Sequence, residues 1–280
     1  MAEVISISRA HKIRLAPNRA QEEYLRRACG VRRFAFNWAL AEWNRQYALH
    51  KDDPAGNPRP GWAALARQFN GIKDAEYPWI REVSCRVPDR AIRDVDAAWK
   101  NFFRSCKNKD MRFKPPRFAK KGRHERFYVH QSELAFKGKH VRIGMVRKVG
   151  WIRAREEIRF DGKIQGATVT RVADQWYLSV QVVMEHGVTA HPTGESVGID
   201  MGVANQVAMS TGQLLNLPIK EMRELEQRIR RANKTLARRW SGKIKKGHAD
   251  KALRDSEGNQ LHASNRFRKQ ADRLAKMHRR

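Results

Sequence analysis

Alternating apolar and polar positions open the chain, where residues 11–15 predict a single β-strand. Asn18 follows, a residue suited to cap a helix, with a glutamine three positions later that can complete a capping box. Apolar residues then recur at helical spacing through roughly 30 residues. A Pro/Gly-rich break at 53–61 ends this helix. Two further helices are predicted, one over about 62–71 and one that Pro88 opens as its first residue.

The pattern changes near residue 107, where helical stripes give way to short alternating runs separated by turn residues. The predicted strands are 127–130, 140–143, 151–153, 158–160, 166–172 and 176–183. Strands of this length and spacing predict a small β-barrel or sandwich, and the opening strand is compatible with the same sheet. After a linker at 186–195, short strands are predicted at 196–203, 205–210 and 214–217, followed by basic helices over 220–280.

Charge points to the kind of partner. The 280 residues contain 58 Lys+Arg against 29 Asp+Glu, a formal net charge of +29. Such an excess attracts polyanions, which favours nucleic acid over an anionic membrane surface. The chain is also 41% hydrophobic and contains 8 Trp, a composition that argues against a disordered basic tail.

The remaining composition predicts a cytoplasmic protein without a membrane partner. No apolar run approaches the ~18–20 residues of a membrane-spanning helix, and residues 1–15 lack the apolar centre of a signal peptide. The three cysteines, Cys29, Cys85 and Cys106, are far apart and odd in number. Neither a disulfide framework nor a CxxC zinc site is therefore expected.

Basic and aromatic residues interleave most densely around the Pro-Pro pair at 115–116. Lys and Arg neutralise phosphates, and Phe can stack on unpaired bases. Nucleic-acid contacts are therefore predicted for Arg14, Arg33, Arg112, Phe113, Lys114, Arg117, Phe118, Lys120, Lys121, Arg238, Arg239, Lys245 and Lys246. The alternative for any such run is an ordinary solvated face. Trp38, Trp43 and Trp99 lie on helical apolar stripes and are predicted to be core residues.

The sharpest motif is Val197-Gly198-Ile199-Asp200-Met201-Gly202, a carboxylate on a strand otherwise composed of core residues. Three interpretations compete. Asp200 takes local backbone hydrogen bonds at a strand end, or it helps to hold two Mg²⁺ on the first strand of an RNase H-like nuclease. The third is the phosphate-binding hairpin of actin-like ATPases, which is disfavoured because residues 202–204 lack the hydroxyls usual there.

Several stretches, in this order, resemble the TnpB (OrfB-type) family of insertion-sequence proteins, relatives of the type V CRISPR nucleases. They are KIRLAPNRAQ (12–21), RFAFN (33–37), AWKNFF (98–103), PRFAKK (116–121) and GIDMG (198–202). The resemblance implies an α+β multidomain fold. A wedge-like β-barrel (1–17 and 107–190) would be interrupted by a helix-turn-helix-like recognition lobe (18–106) and followed by a partial RuvC/RNase H-like α/β domain with basic helices (195–280).

The same resemblance implies partners and a site. The partners would be a guide RNA from the transposon end and double-stranded target DNA. The protein would act in a prokaryotic cytoplasm, associated with the nucleoid. Asp200 would match the first RuvC carboxylate, acting as a catalytic residue and as a ligand of Mg²⁺.

The resemblance is incomplete after Asp200. The family's nuclease site takes two further carboxylates, whereas the acids after Asp200 all lie in the basic helical region or its loop. The family's zinc ribbon is also missing, because no cysteine follows Cys106. The chain is therefore expected to be C-terminally truncated and not to cleave DNA by itself. The alternatives are a binding-only, nuclease-dead repressor or a non-functional transposase remnant.

Overall fold

The computed structural model describes residues 4–108, 113–122, 124–144, 149–187, 196–201, 207–215, 218–241 and 264–278. The chain divides into an N-terminal unit, Met1–Val188, and a C-terminal unit, Thr189–Arg280. Both contain helices and strands, which agrees with the predicted α+β class. Among the described residues, no helix has both the length and the apolar character needed to cross a bilayer.

The N-terminal unit is built on seven strands. They are β1 (Val4–Ala16), β2 (Arg126–His130), β3 (Leu134–Lys137), β4 (His140–Ile143), β5 (Trp151–Ala154), β6 (Lys163–Val172) and β7 (Gln175–Gly187). They form one antiparallel sheet in the order β2-β6-β7-β1-β5-β4-β3, curled into half a barrel. The first strand lies at the centre of this sheet, so the chain between β1 and β2 is an insertion into it.

Alternation along β1 separates a buried face from an exposed one. Ile13 and Leu15 are buried, whereas Lys12 and Arg14 between and beside them are exposed. The register with β7 pairs Ile13 with Leu178, so apolar side chains meet on one face of the sheet. This is the period-two pattern from which the opening strand was predicted.

One predicted strand is not formed, and one observed strand was not predicted. Residues 158–160 form no strand, although Ile158 and Phe160 pack against the core and so alternate like one. Between them, the backbone N–H of Arg159 donates to Nδ1 of His11 (3.2 Å) instead of joining a ladder. Strand β3 was not predicted; it pairs with β4 at one edge of the sheet.

The insertion contains three helices, α1 (Arg19–Asp52), α2 (Trp62–Glu76) and α3 (Arg86–Lys107). A capping box opens α1, as predicted: Asn18 Oδ1 accepts from the Gln21 N–H (2.9 Å), and Gln21 Oε1 accepts from the Asn18 N–H (3.0 Å). The helix α3 begins two residues before Pro88, so the prediction that this proline is its first residue was wrong. The Ser84 hydroxyl accepts from the Arg86 N–H (3.1 Å) and starts the turn earlier.

Aromatic stacking joins the helices. The rings of Trp43 and Trp99 lie 4.1 Å apart and nearly parallel, and Trp43 is buried. Trp38 packs against the Phe69 ring of α2 at 4.9 Å. These contacts confirm the prediction that the three tryptophans are core residues. One continuous cluster of buried side chains runs from the sheet into the helices.

The described residues of the C-terminal unit form three short strands and two helices. The strands β8 (Ile199–Asp200), β9 (Val207–Met209) and β10 (Leu214–Leu215) form an antiparallel sheet in the order β10-β9-β8. The helices are α4 (Ile219–Ser241) and α5 (Asn265–Met277), and Gln270 of α5 donates to the Ala232 carbonyl of α4 (3.4 Å). The RuvC/RNase H-like assignment of this region stays a prediction.

Gln21 connects helix and sheet, because its buried side-chain N–H₂ donates to the carbonyls of Val149 (3.0 Å) and Trp151 (3.0 Å). We expect Gln21→Ala to lower the free energy of unfolding by about 2–3 kcal/mol, since the Asn18 N–H loses its acceptor in the capping box and two carbonyls lose a donor. Chemical denaturation measures the change. Asn44→Ala, an exposed position on α1, is the control and should change it by less than about 0.5 kcal/mol. Equal losses in the two variants would contradict this role of Gln21.

Candidate nucleic-acid interface

The basic-aromatic segment, residues 113–121, is attached to α1 by hydrogen bonds to its backbone. The Asn37 side chain on α1 accepts from the Ala119 N–H (2.7 Å) and donates to the Ala119 carbonyl (3.0 Å). The Ser105 hydroxyl on α3 lies 3.2 Å from the Phe113 carbonyl, but its single proton has a closer acceptor in the Phe102 carbonyl of the same helix (2.8 Å). Asn37 thus satisfies both backbone groups of one residue, as a neighbouring strand would. Asn37 therefore holds the irregular segment in place at Ala119.

The aromatic and basic side chains of this segment are exposed to solvent. Phe113 is 48% exposed and Phe118 is 54% exposed. The cations Lys114, Arg117, Lys120 and Lys121 are exposed as well. None of these four takes part in an ion pair within the part of the chain that the structure describes. Exposed aromatic rings among uncompensated cations are the surface that phosphates and unpaired bases require.

A groove lies on α1 beside Asn37. It has a volume of about 440 Å³ and is lined by Arg27, Gly30, Val31, Arg33, Phe34, Asn37, Trp79 and Glu82. The Trp79 ring meets the Phe34 ring edge-on at 5.0 Å and is 41% exposed. A Cβ placed on Gly30 would meet no atom within 4 Å, so the groove is open at this point. Since Asn37 lines the groove and holds the basic-aromatic segment, the two surfaces are continuous.

Much of the remaining charge on α1 is neutralised locally. Arg26, Arg27 and Arg45 each bind a glutamate of their own helix, at 2.6, 2.5 and 2.6 Å. The hydrogen bonds from Arg45 hold the pKa of Glu42 below its ordinary value. Arg33 has no such partner among the described residues. The solvated-face interpretation therefore describes Arg26 and Arg45, whereas Arg27 and Arg33 both line the groove.

The other predicted contacts lie in several places. Arg14 is exposed on β1, and Arg238 is exposed on α4. Arg112, Lys245 and Lys246 lie outside the described residues, and so does the side chain of Arg239. The structure therefore groups Arg33 with the basic-aromatic segment and leaves Arg14 on the sheet.

Asp200 lies at the end of β8 and is exposed. The expectation of a strand built from core residues was wrong for the described structure, since Ile199 is 62% exposed and Met201 is 81% exposed. Among the residues that the structure describes, no three His, Cys, Asp or Glu side chains lie close enough to share a metal ion. The catalytic and metal-binding roles of Asp200 stay predictions.

Two residues of this surface were not found from the sequence. Trp79 follows Pro78 in the 3₁₀ turn Pro78–Glu82, outside any helical stripe, and only the fold brings it to Phe34. Asn37 lies within the RFAFN motif, but its partner Ala119 is 82 residues away. The sequence contained one signal for the role of Asn37. It places an asparagine at a half-buried helix position, and a buried amide needs a hydrogen-bonding partner.

Comparison with known proteins relates the chain to a family. Residues 1–52, which include β1 and α1, match the OrfB/IS605 helix-turn-helix domain. InsQ of Escherichia coli K12, named as an RNA-guided DNA endonuclease, is 30% identical over 231 residues, which is 82% of this chain and 54% of that protein. A protein of Streptomyces pristinaespiralis, also named as an RNA-guided DNA endonuclease, is 27% identical over 240 residues, 84% of this chain and 56% of that protein.

These matches first define a class, insertion-sequence proteins with an OrfB-type helix-turn-helix domain. With the ordered motifs, they confirm the resemblance, and the chain belongs to the TnpB/OrfB family. The chain spans about half the length of the curated relatives it matches.

We expect Asn37→Ala to release the basic-aromatic segment, because both backbone groups of Ala119 lose their partner. Hydrogen exchange of the Ala119 amide should accelerate by about tenfold or more, corresponding to about 1.5 kcal/mol of lost protection. Mass-spectrometric exchange of peptides covering 113–121 measures this. Asn44→Ala should leave that exchange unchanged. If both variants exchange at the wild-type rate, Asn37 does not anchor the segment.

Proposed function

We propose that this chain binds RNA and DNA as the recognition portion of an RNA-guided DNA-binding protein encoded by an insertion sequence. The observation that carries the proposal is the basic-aromatic segment, in which exposed Phe113 and Phe118 lie among four uncompensated cations and are held on α1 by Asn37. The net charge of +29 and the names of the two relatives support it.

The two kinds of side chain would act differently. Lys114, Arg117, Lys120 and Lys121 would neutralise phosphates, and this contact makes the affinity depend on salt. Phe113 and Phe118 would stack on bases, which requires bases that are not paired in a duplex. The segment is therefore assigned to a single-stranded stretch, such as a loop of a guide RNA, rather than to the interior of duplex DNA.

We expect the double variant Phe113→Ala/Phe118→Ala to bind a single-stranded RNA at least about tenfold more weakly, since stacking contributes about 1–3 kcal/mol per base. The dependence of its affinity on salt should remain that of the wild type, because no charge is removed. Fluorescence anisotropy with a labelled RNA, repeated at several salt concentrations, measures both quantities. Leu49→Ala, an exposed apolar position on α1, is the control.

The double variant Lys120→Gln/Lys121→Gln, unlike the phenylalanine variant, should change the dependence of the affinity on salt. Its slope of log affinity against log salt should fall by about 1–2, because up to two phosphate contacts are lost. Lys137→Gln, an exposed lysine on β3, should leave the slope unchanged. If the two lysine variants behave alike, charge is recognised diffusely and the segment has no special role.

For cleavage, the proposal is narrower: residues 1–280 bind nucleic acid and do not cut it by themselves. Hydrolysis with two metal ions takes several carboxylates that converge on one point. The described acids after Asp200 lie on α4 and α5, and no metal-dependent step is derived from them. A binding-only repressor is the second candidate, and it differs from a remnant in requiring tight, folded-state binding.

We expect the purified chain, mixed with RNA, duplex DNA and Mg²⁺ or Mn²⁺, to shift the DNA in a gel without shortening it. Asp200→Ala should bind as the wild type does, because Asp200 belongs to neither the segment nor the groove. Cleavage that Asp200→Ala abolishes would show instead that a nuclease site is complete in this chain. A chain that fails to bind either nucleic acid would contradict the function proposed here.

A further inference from the structure

Three arginines from three different elements converge beside one carboxylate, where the inserted helices meet the sheet. Arg32 of α1 lies 3.4 Å from Asp94 Oδ2, and Nε of Arg90 on α3 lies 3.1 Å from Asp94 Oδ1. Arg126 of β2 lines the same cavity, which has a volume of about 200 Å³. Glu125 does not compensate Arg126, since it is bound to Arg171 at 2.9 Å. Three arginines thus line a cavity in which Asp94, paired with Arg32 and Arg90, is the single carboxylate among the described residues.

The excess of positive charge in this cavity destabilises Arg32 most, because Arg32 is the most buried of the three arginines. Its side chain is 13% exposed, and its only ion pair among the described residues is the long one to Asp94, which Arg90 shares. Burial lowers the pKa of the Arg32 guanidinium, Asp94 opposes that change, and Arg126 adds to it. Arginine stays protonated in proteins, so a buried guanidinium with half a partner is stabilised by a further anion.

The guanidinium groups are already oriented. Arg90 lies over the Tyr128 ring at 4.7 Å, and Arg32 lies over the Phe36 ring at 4.7 Å. A ring beside the guanidinium restricts the conformations of the arginine side chain and so reduces the entropy lost when it binds an oxyanion. Planar forks that face a small cavity match the tetrahedral oxygens of a phosphate.

The cavity continues over the exposed face of the sheet. Tyr128 and Thr168 line it and also line a neighbouring cavity of about 240 Å³, together with Ser8, Ser179 and Gln181. These residues belong to β2, β6, β7 and β1, which are adjacent in the sheet and span about 14 Å at the usual strand spacing. Asp94 is the single carboxylate that lines either cavity among the described residues. The face therefore offers hydroxyl and amide groups to a polyanion with little repulsion.

We propose that Arg32, Arg90 and Arg126 form a phosphate pocket that binds one phosphodiester of a nucleic-acid strand, and that this strand continues across the polar face of β6, β7 and β1. The inference rests on the proposed function and adds to it a second contact surface with its own elements. None of its residues belongs to the basic-aromatic segment. A free phosphate is the other possible source of the same chemistry.

Arg126→Gln and Arg90→Gln test the pocket, whereas Arg32 is too buried to be replaced safely. Arg126 is exposed and has no ion pair within the described residues, so its replacement should leave folding intact. Each variant should bind labelled single-stranded RNA or duplex DNA about tenfold more weakly, with a salt slope smaller by about 1. Arg67→Gln, an exposed arginine on α2, removes the same charge elsewhere and should change affinity by less than about twofold.

Inorganic phosphate and pyrophosphate provide the second readout, as shifts in the melting temperature of the wild type and of Arg126→Gln. Loss of nucleic-acid affinity in both pocket variants, greater than in Arg67→Gln, supports the proposal. The comparison of RNA with duplex DNA shows which nucleic acid is bound.

Equal effects in all three variants overturn the proposal and leave the proposed function standing. Stabilisation by free phosphate that Arg126→Gln abolishes, with nucleic-acid binding intact, also overturns it in favour of a free-phosphate site. A wild-type chain that binds no nucleic acid refutes the proposed function and, with it, this assignment.

Discussion

The pairing of β1 with β7 is the interaction on which the rest of the N-terminal unit depends. The two strands are in register from Val4 to Leu15, although more than 150 residues separate them in the chain. Their pairing fixes the start of the helical insertion, since β1 leads directly into the cap of α1, while β2 at the other end of the insertion pairs with β6. Closing so long a loop is costly in chain entropy, and the burial of Ile13, Leu178 and their neighbours compensates for it.

Both candidate surfaces are consequences of this arrangement. The alternation that buries Ile13 leaves the polar face of the sheet uncovered, and α1 and α3 meet β2 at one edge of that face. The basic-aromatic segment uses a different device, because Asn37 supplies the hydrogen bonds that a sheet would otherwise supply. The polar face is therefore positioned by the strands of the sheet, and the basic-aromatic segment is positioned by the side chain of Asn37.

Periodic features were predictable from sequence, and convergent ones were not. The strand 140–143 and the capping box at Asn18 depend on neighbouring residues, so the local pattern contains all the information. Residues 158–160 alternate like a strand because they cover the core, and only the hydrogen bonds distinguish the two cases. Arg32, Arg90 and Arg126 are far apart in the chain, and nothing local relates them. The exposure of β8 likewise depends on what packs against it rather than on its own apolar residues.

The central position of β1 has a consequence for synthesis of the protein on the ribosome. The strand β1 is made more than 150 residues before its partner β7, which ends at Gly187. At ~5–20 residues per second, β1 stays without this partner for roughly 10–30 s. The helices form from local contacts in that interval, but β1 presents open backbone groups to other nascent chains. Lys12 and Arg14, which interrupt its apolar positions, are the residue type that discourages such pairing, so these side chains would protect the chain before it folds.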